Sequence, residues 1–255
     1  MKLLTVDIET TPNLAHVWQL WGQQNIGLNQ LMESSELLCA AYKWHDQPAE
    51  DTTFILGPSY QTLHLPHHLY DGYLSALYEC INAADAVITY NGKKFDIPRL
   101  NSAFIENGFD VPAPYHQIDL YQTVKRVFSW PSHKLDYVAG KLLGENKVKH
   151  EGHELWVKCM AGDPEAWARM REYNMQDVVI TEKLYDKLKP WIPNHPNVLL
   201  YEENPAFRAC PKCGSEHYQK RGFLAKITGT YQKYQCQDCK GWFSDNKRID
   251  GSTVR

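Results

Sequence analysis

Leu3-Leu4-Thr5-Val6-Asp7-Ile8-Glu9 alternates strictly, with Leu4, Val6 and Ile8 facing one way and Leu3, Thr5, Asp7 and Glu9 the other. A period of two is a strand, and Thr11-Pro12 closes it. Asp7 and Glu9 therefore share one face at roughly 7 Å spacing. Side by side on a central strand, two carboxylates repel unless a cation lies between them; taken alone, the pair reads equally well as an exposed strand end.

Working outward, residues 13–36 are aromatic but lack a clean period, and read as a long loop with some helix. Leu37 to Trp44 and Thr52 to Leu56 read as two more strands, the first rich in small apolar residues. The spacing of Leu69, Tyr73, Leu77, Cys80 and Ile81 predicts a helix from Leu69 to Ala83. Ala86 to Tyr90 is a short buried strand ending at Asn91-Gly92, and a helix restarts from Pro98 to Asn107. Asp119 opens another helix as its cap, and Leu135, Val138, Ala139 and Leu142 mark the stripe of the next. Asp163-Pro164-Glu165 starts a long helix that Pro190 stops near Lys189. Strands first, with helices interleaved later, make an α/β layered domain.

Two further acids occupy places that the local pattern would fill differently. Asp96 ends Tyr90-Asn91-Gly92-Lys93-Lys94-Phe95-Asp96, between a buried strand and a helix; alone it reads as a helix cap. Met170, Tyr173, Asp177, Thr181, Leu184 and Leu188 form one inward stripe, with Asp177 one turn after Tyr173. A bare carboxylate there is costly, and a metal shared with the other three acids is the economical partner. Two Mg²⁺ ions about 4 Å apart would activate water and stabilise the leaving oxygen of a phosphodiester. Hard oxygen ligands select Mg²⁺ or Mn²⁺.

Asp7-Ile8-Glu9-Thr10, Tyr90-Asn91-x3-Phe95-Asp96 and Tyr173-x3-Asp177 resemble the three motifs of the DEDD 3′→5′ exonucleases, in the right order over roughly residues 1–190. Tyr173, four residues before the last Asp, resembles the DEDDy branch, which includes proofreading domains of family A and family B DNA polymerases. The other branch has His five residues before that Asp, where this chain has Glu172. The stretch around Asn91 and Asp96 is most similar to the family B version, in a stand-alone phage or bacterial form. The resemblance implies an α/β fold: a ribonuclease H-like mixed β-sheet flanked by helices. It also implies roles. Asp7 bridges two metals, Glu9 and Asp177 complete the site that activates water, Asp96 holds the second metal, and Tyr173 orients water through its neutral hydroxyl. Thr10, Asn91 and Phe95 touch the terminal nucleotides.

The formal charge of −3 hides a division: from Ala206 onward there are ten Lys/Arg and four Asp/Glu, a formal +6. Within that segment Cys210-Pro211-Lys212-Cys213 and Cys236-Gln237-Asp238-Cys239 stand 22 residues apart. Matched CxxC pairs without a secretory leader point to one structural Zn²⁺ rather than to redox dithiols or disulfides. Gly214 and Gly241 suit the knuckle turns, and strand-prone stretches on either side of Gly229 suggest a hairpin. Lys220, Arg221, Lys226 and Lys233 interleave with Tyr218, Phe223, Tyr231 and Tyr234, a pattern able to grip phosphates and stack bases. The segment is similar to zinc ribbons attached to transposases and other nucleic-acid enzymes; packing on the main domain or docking a protein stays open. The expected organisation is an exonuclease domain over 1–192, a proline-containing linker over 193–207, a small β zinc ribbon of four cysteines over 208–247 and a tail over 248–255.

At 255 residues and 43% hydrophobic content the chain has a core, and no apolar run reaches the ~20 residues of a membrane span. A carboxylate after a few apolar residues argues against a secretory signal, so the expectation is cytoplasmic, host cytoplasm if the gene is a phage's. Cys39, Cys80 and Cys159 read as buried small hydrophobes, and Trp18, Trp21 and Trp44 as core. His64, His67 and His68 read as a surface loop, and Lys147, Lys149 and His150 as a solvated basic stretch. His133 and Lys134 precede a core helix within reach of a phosphate. The favoured function is a metal-dependent 3′→5′ exonuclease on single-stranded or 3′-ended DNA, releasing 5′-mononucleotides and aided by the ribbon, with replication or recombination proteins as partners. The alternatives are an RNA-trimming exoribonuclease of the same branch and a non-catalytic nucleic-acid-binding adaptor.

Overall fold

The alternation of the first strand sorts its side chains between two cores. Leu4, Val6 and Ile8 pack with Leu77, Ile81, Leu100 and Phe104, and the opposite face of the sheet packs on Trp167, Met170, Ile180 and Leu184. The computed structural model describes residues 1–23, 25–145, 151–202 and 208–250. Lys147, Lys149 and His150, residues 203–207 of the expected linker and residues 251–255 of the expected tail lie outside the described residues. In chain order the first strands are β1 (Leu3–Thr10), β2 (Leu14–Ala15), β3 (Leu31–Glu33), β4 (Leu37–Trp44) and β5 (Thr53–Leu56). Then follow α1 (Leu74–Ala83), β6 (Ala86–Thr89), α2 (Asp96–Glu106), β7 (His116–Asp119), α3 (Leu120–Val127), α4 (Leu135–Leu143), α5 (His153–Met160) and α6 (Pro164–Leu188). The last are β8 (Tyr218–Lys226), β9 (Gly229–Cys236) and β10 (Trp242–Asp250).

The main sheet has the order β5-β4-β1-β6-β7. β4 is antiparallel to both β1 and β5, whereas β6 runs parallel to β1 and β7. With α1 and α2 on one face and α6 on the other, this is the mixed, ribonuclease H-like sheet flanked by helices. All four residues of β6 are buried, as a parallel strand covered on both faces requires. Each fully buried Leu or Ile of these layers contributes about 1.5–3 kcal/mol. α6 starts as expected, with Asp163 accepting from the amides of Glu165 and Ala166 at 2.8 and 3.2 Å. No described helix is long and apolar enough to cross a membrane.

Several local expectations change. Leu69 lies in a 3-10 turn (His67–Leu69), and α1 starts only at Leu74. The chain between is drawn out by pairing with β5: Asp71 N–H donates to Phe54 O at 2.8 Å, and Gly72 bridges to Ile55. Among the described residues of 13–36 there is no α-helix; β2 pairs with β3, and a 3-10 turn at Leu28–Gln30 leads into β3. Trp18 and Trp21, expected in the core, are 92% and 87% exposed on that loop, and Trp44 is only half-buried. β7, α5 and β10 carried too short or too mixed an apolar pattern to be anticipated. β8, β9 and β10 form a separate antiparallel sheet, and β10 extends to Asp250.

Candidate active site

Asp7 and Glu9 lie on the face of β1 that α6 covers, opposite Ala41 and Cys39 of β4. Those small partners let α6 approach closely. Glu9 is followed at once by a bulge in the β1–β4 register, which ends the regular ladder next to Thr10. From α6, Asn174 donates its amide to Asp7 Oδ2 at 2.7 Å and to Asp7 O at 3.3 Å. Tyr173 hydrogen-bonds Asp177 and is only 9% exposed. Burial, then the charges of Asp177, Glu9 and Asp7, push the Tyr173 hydroxyl far above the usual phenol range. Its proton therefore stays on at any physiological pH.

The fourth acid arrives from α2. Asp96 is the first residue of that helix, not its cap, because Phe95 takes the cap position. Its Oδ1 accepts the backbone N–H of Ile8 at 3.2 Å, between Asp7 and Glu9 on β1. The turn that delivers it is tightly specified. Asn91 adopts φ 73°, a left-handed conformation that Asn tolerates, and its carbonyl accepts from the amides of Lys94 and Phe95. A Cβ on Gly92 would meet Thr89 Oγ1 at 2.3 Å, so only glycine fits there. Phe95 is left 38% exposed at the rim.

Asp119 does more than the capping expected of it. It caps α3 by accepting from Gln122 N, and it also accepts the amides of Asn91 and Lys93 at 3.0 and 3.3 Å. The turn before Asp96 is thus clamped to α3. Neither Asn174 nor this second job of Asp119 was read from the sequence. Asn174 could have been: it lies one turn after Met170 and three residues before Asp177, on the same stripe.

Asp96 and Asp177 are 3% and 2% exposed. Burial raises the Asp96 carboxyl to about 7, against the amides of Ile8 and Asp96 and with the charge of Asp119 adding to the rise. A divalent cation beside it would offset that desolvation, and carboxylate oxygens are the donors a hard dication takes. Among the described residues, only four cysteines bring three or more ligand atoms within 4.8 Å of one another. The acids are linked less directly, through the Asn174 amide, the Ile8 N–H and the Tyr173 phenol.

That cysteine cluster is Cys210, Cys213, Cys236 and Cys239. The Cys210–Cys239 and Cys213–Cys236 sulfurs stand 3.6 and 3.7 Å apart. Four thiolates at about 2.3 Å around a tetrahedral zinc lie about 3.8 Å from one another, so the set could hold that ion. Gly214 has φ 76°, as the first knuckle turn needs; in the second, Lys240 takes the left-handed position at φ 63°. Gly241 answers a different demand, since a Cβ there would stand 3.2 Å from Cys239 Sγ and 3.3 Å from Lys212 Cδ.

Lys220, Arg221 and Lys226 lie on β8 and Lys233 on β9, with no hydrogen bond or ion pair to the acids among the described residues. Lys226 and Lys233 sit over the rings of Tyr231 and Trp242, each 5.0 Å from the centroid. Tyr234 is buried, stacked on Phe243 and edge-packed by Tyr218, so these rings form the small sheet's core rather than a surface for bases. His64, His67 and His68 are exposed. Cys39 and Cys159 are buried and Cys80 half-buried.

Residues 47–189 match the RNase H superfamily. Asp96, Tyr173 and Asp177 fall inside the match, and Asp7 and Glu9 precede it. A DNA polymerase of Pyrococcus glycovorans is 28% identical over 121 residues, 39% of this chain and 15% of that protein. DNA polymerase 1 of Pyrococcus abyssi is 26% identical over 127 residues, covering 42% of this chain and 16% of that one.

Proposed function

The chain belongs to the RNase H superfamily, and from that premise we propose that it is a metal-dependent 3′→5′ exonuclease of the DEDDy branch, releasing 5′-mononucleotides from single-stranded DNA. Membership and the partial similarity to DNA polymerases support a nuclease acting on nucleic acid. The finer reading is carried by one observation: Tyr173 and Asp177 on α6 face Asp7 and Glu9 on β1, with Asp96 bonded to the strand between them.

In this reading Asp7, Glu9, Asp96 and Asp177 hold two Mg²⁺ or Mn²⁺ ions. When bound, such ions supply Lewis-acid activation of water and neutralise charge on the phosphate under attack. Asn174 fixes the rotamer of Asp7. Tyr173 orients water through its hydroxyl, without needing to be ionised. Thr10, Asn91 and Phe95 contact the terminal nucleotide. Residues 1–192 form the exonuclease unit; after a linker over 193–207, a zinc ribbon over 208–247, with Zn²⁺ on its four cysteines, helps capture substrate through Lys220, Arg221, Lys226 and Lys233.

A 5′-labelled oligonucleotide should shorten stepwise with Mg²⁺ or Mn²⁺, and Asp7→Ala should abolish shortening. A mutant that keeps the wild-type rate sinks the assignment. Parallel RNA and DNA strands assign the sugar.

A further inference from the structure

Next to Asp96 lies an open groove of about 680 Å³, bounded by the Tyr90–Phe95 turn, α3 and the start of α4. Three lysines from three separate elements line it: Lys94 from the turn, Lys125 from α3 and Lys134 from the residue that caps α4. All three are exposed, and among the described residues none forms an ion pair with an acid. Elsewhere on the domain cations find acids readily, as Lys158 with Glu154, Lys183 with Glu145 and Arg171 with Asp71 do. Three ammonium groups without acids repel one another and attract a polyanion.

The groove walls are preformed. Tyr90 donates its hydroxyl to His133 O at 2.6 Å and packs edge-on against Tyr121, with centroids 6.1 Å apart. The Asp119 carboxylate ties the turn to α3 from behind. Lys94 and Phe95, which line the groove, immediately precede Asp96, so the groove adjoins the turn that delivers this carboxylate to β1.

We infer that this groove is the track for the single strand whose 3′ end reaches the acids, with Lys94, Lys125 and Lys134 neutralising its phosphates. The inference rests on the exonuclease reading for the identity of the strand end, and it names positioning residues for the substrate. The shared chemistry is a single-stranded phosphodiester chain, DNA or RNA. It places the first grip on substrate in the catalytic domain and leaves to the basic ribbon only more distant contacts.

Each phosphate neutralised on a single strand contributes about 0.7 to the slope of log affinity against log salt, which at about 0.1 M salt is about fivefold in affinity. The test measures binding of fluorescent single-stranded DNA and RNA oligonucleotides to the full chain, with Ca²⁺ replacing Mg²⁺, for Lys125→Gln, Lys134→Gln and the double variant. Lys187→Gln, an exposed lysine on α6, is the control, and thermal melts check folding. Each groove variant should weaken binding about fivefold and the pair about 25-fold, with the salt slope falling by about 0.7 and about 1.4. In the Mg²⁺ reaction KM should rise by the same factors while kcat holds. Folded variants with unchanged affinity and slope overturn the groove. A wild type that binds with this pattern but hydrolyses neither sugar would retain the groove and remove the exonuclease reading. A loss confined to the DNA or the RNA arm names the strand.

Discussion

Asn174→Ala separates the organisation of the site from the stability of the fold. The wild-type amide reaches Asp7 twice, at 2.7 Å to Oδ2 and 3.3 Å to the backbone oxygen. A hydrogen bond to a charged group contributes about 1.5–3 kcal/mol, or about ten- to a hundredfold at 1.4 kcal/mol per decade. Loss of a group that orients a metal ligand falls in the same range. The same side chain carries a cost, because Asn174 Oδ1 is buried with no hydrogen-bond partner among the described residues. Removing that oxygen returns about 1–3 kcal/mol, which offsets the lost donor and the small void. The half-saturating Mn²⁺ concentration should therefore rise ten- to a hundredfold in calorimetric titration and in the rate, while stability to urea changes by less than about 1.5 kcal/mol. An unchanged metal midpoint would refute the argument, and so would a stability loss above about 3 kcal/mol, which would make Asn174 a purely structural residue.

Lys43 and Glu182 form a buried pair at 2.7 Å, so Lys43→Met should cost about 3–5 kcal/mol in urea melts, and adding Glu182→Leu should recover most of it. His45 is raised from 6.5 to about 9, first by its bond to Asp186 and then by Glu182, against burial. A raised histidine stabilises fully below its unfolded value, so this contribution, about 2–3 kcal/mol, holds below about pH 6.5 and vanishes as pH climbs through about 9. His45→Gln should flatten that limb of a stability profile, and an unchanged limb would rule the linkage out. With zinc on the four cysteines, as proposed, a chelator should expose four thiols to a colorimetric reagent and release amide protection in β8–β10 while most of α6 keeps its own; intact protection after chelation would contradict a metal-dependent sheet. Trp18→Ala and Trp21→Ala, both at exposed positions, should each leave stability within about 0.5 kcal/mol in the same melts.

Where one face of an element meets one environment, the sequence was readable. β1 alternates cleanly because each face meets its own core, and the inward stripe of α6 is unbroken from Met170 to Leu188. Asp177 stood out because it interrupts such a stripe, whereas Asp7, Glu9 and Asp96 took their reading from the motifs that join them to it. Short elements escaped for the opposite reason: β7 buries only Ile118 and Asp119, and α5 only Leu155 and Cys159, too few positions to define a period. The Trp18 and Trp21 side chains misled because aromatic content implies burial, whereas here β2 and β3 hold their loop by backbone hydrogen bonds and leave the rings outside. The groove lysines could not be grouped at all, since Lys94, Lys125 and Lys134 meet only once the turn is folded onto α3.

One helix carries most of the geometry that the proposed chemistry needs. α6 has 25 residues, about 37 Å at 1.5 Å each, and its rotation decides where Asp177 and Tyr173 point. Glu182 lies five residues beyond Asp177, about 140° further round, so its pairing with Lys43 holds a second face of the helix against β4 while Asn174 ties the first to β1. Rotation is thereby fixed by two strands at once. Just past the far end of α6, in and after the 3-10 turn Lys189–Trp191, Lys212, between Cys210 and Cys213, donates to the oxygens of Lys189, Pro190 and Ile192 at 3.3, 2.6 and 2.9 Å. Burial lowers the Lys212 pKa, while the cysteines beside it favour its charge. The cysteine cluster thus sits at the end of the helix that carries the acids. Its folding places the Lys212 ammonium on the turn that follows that helix.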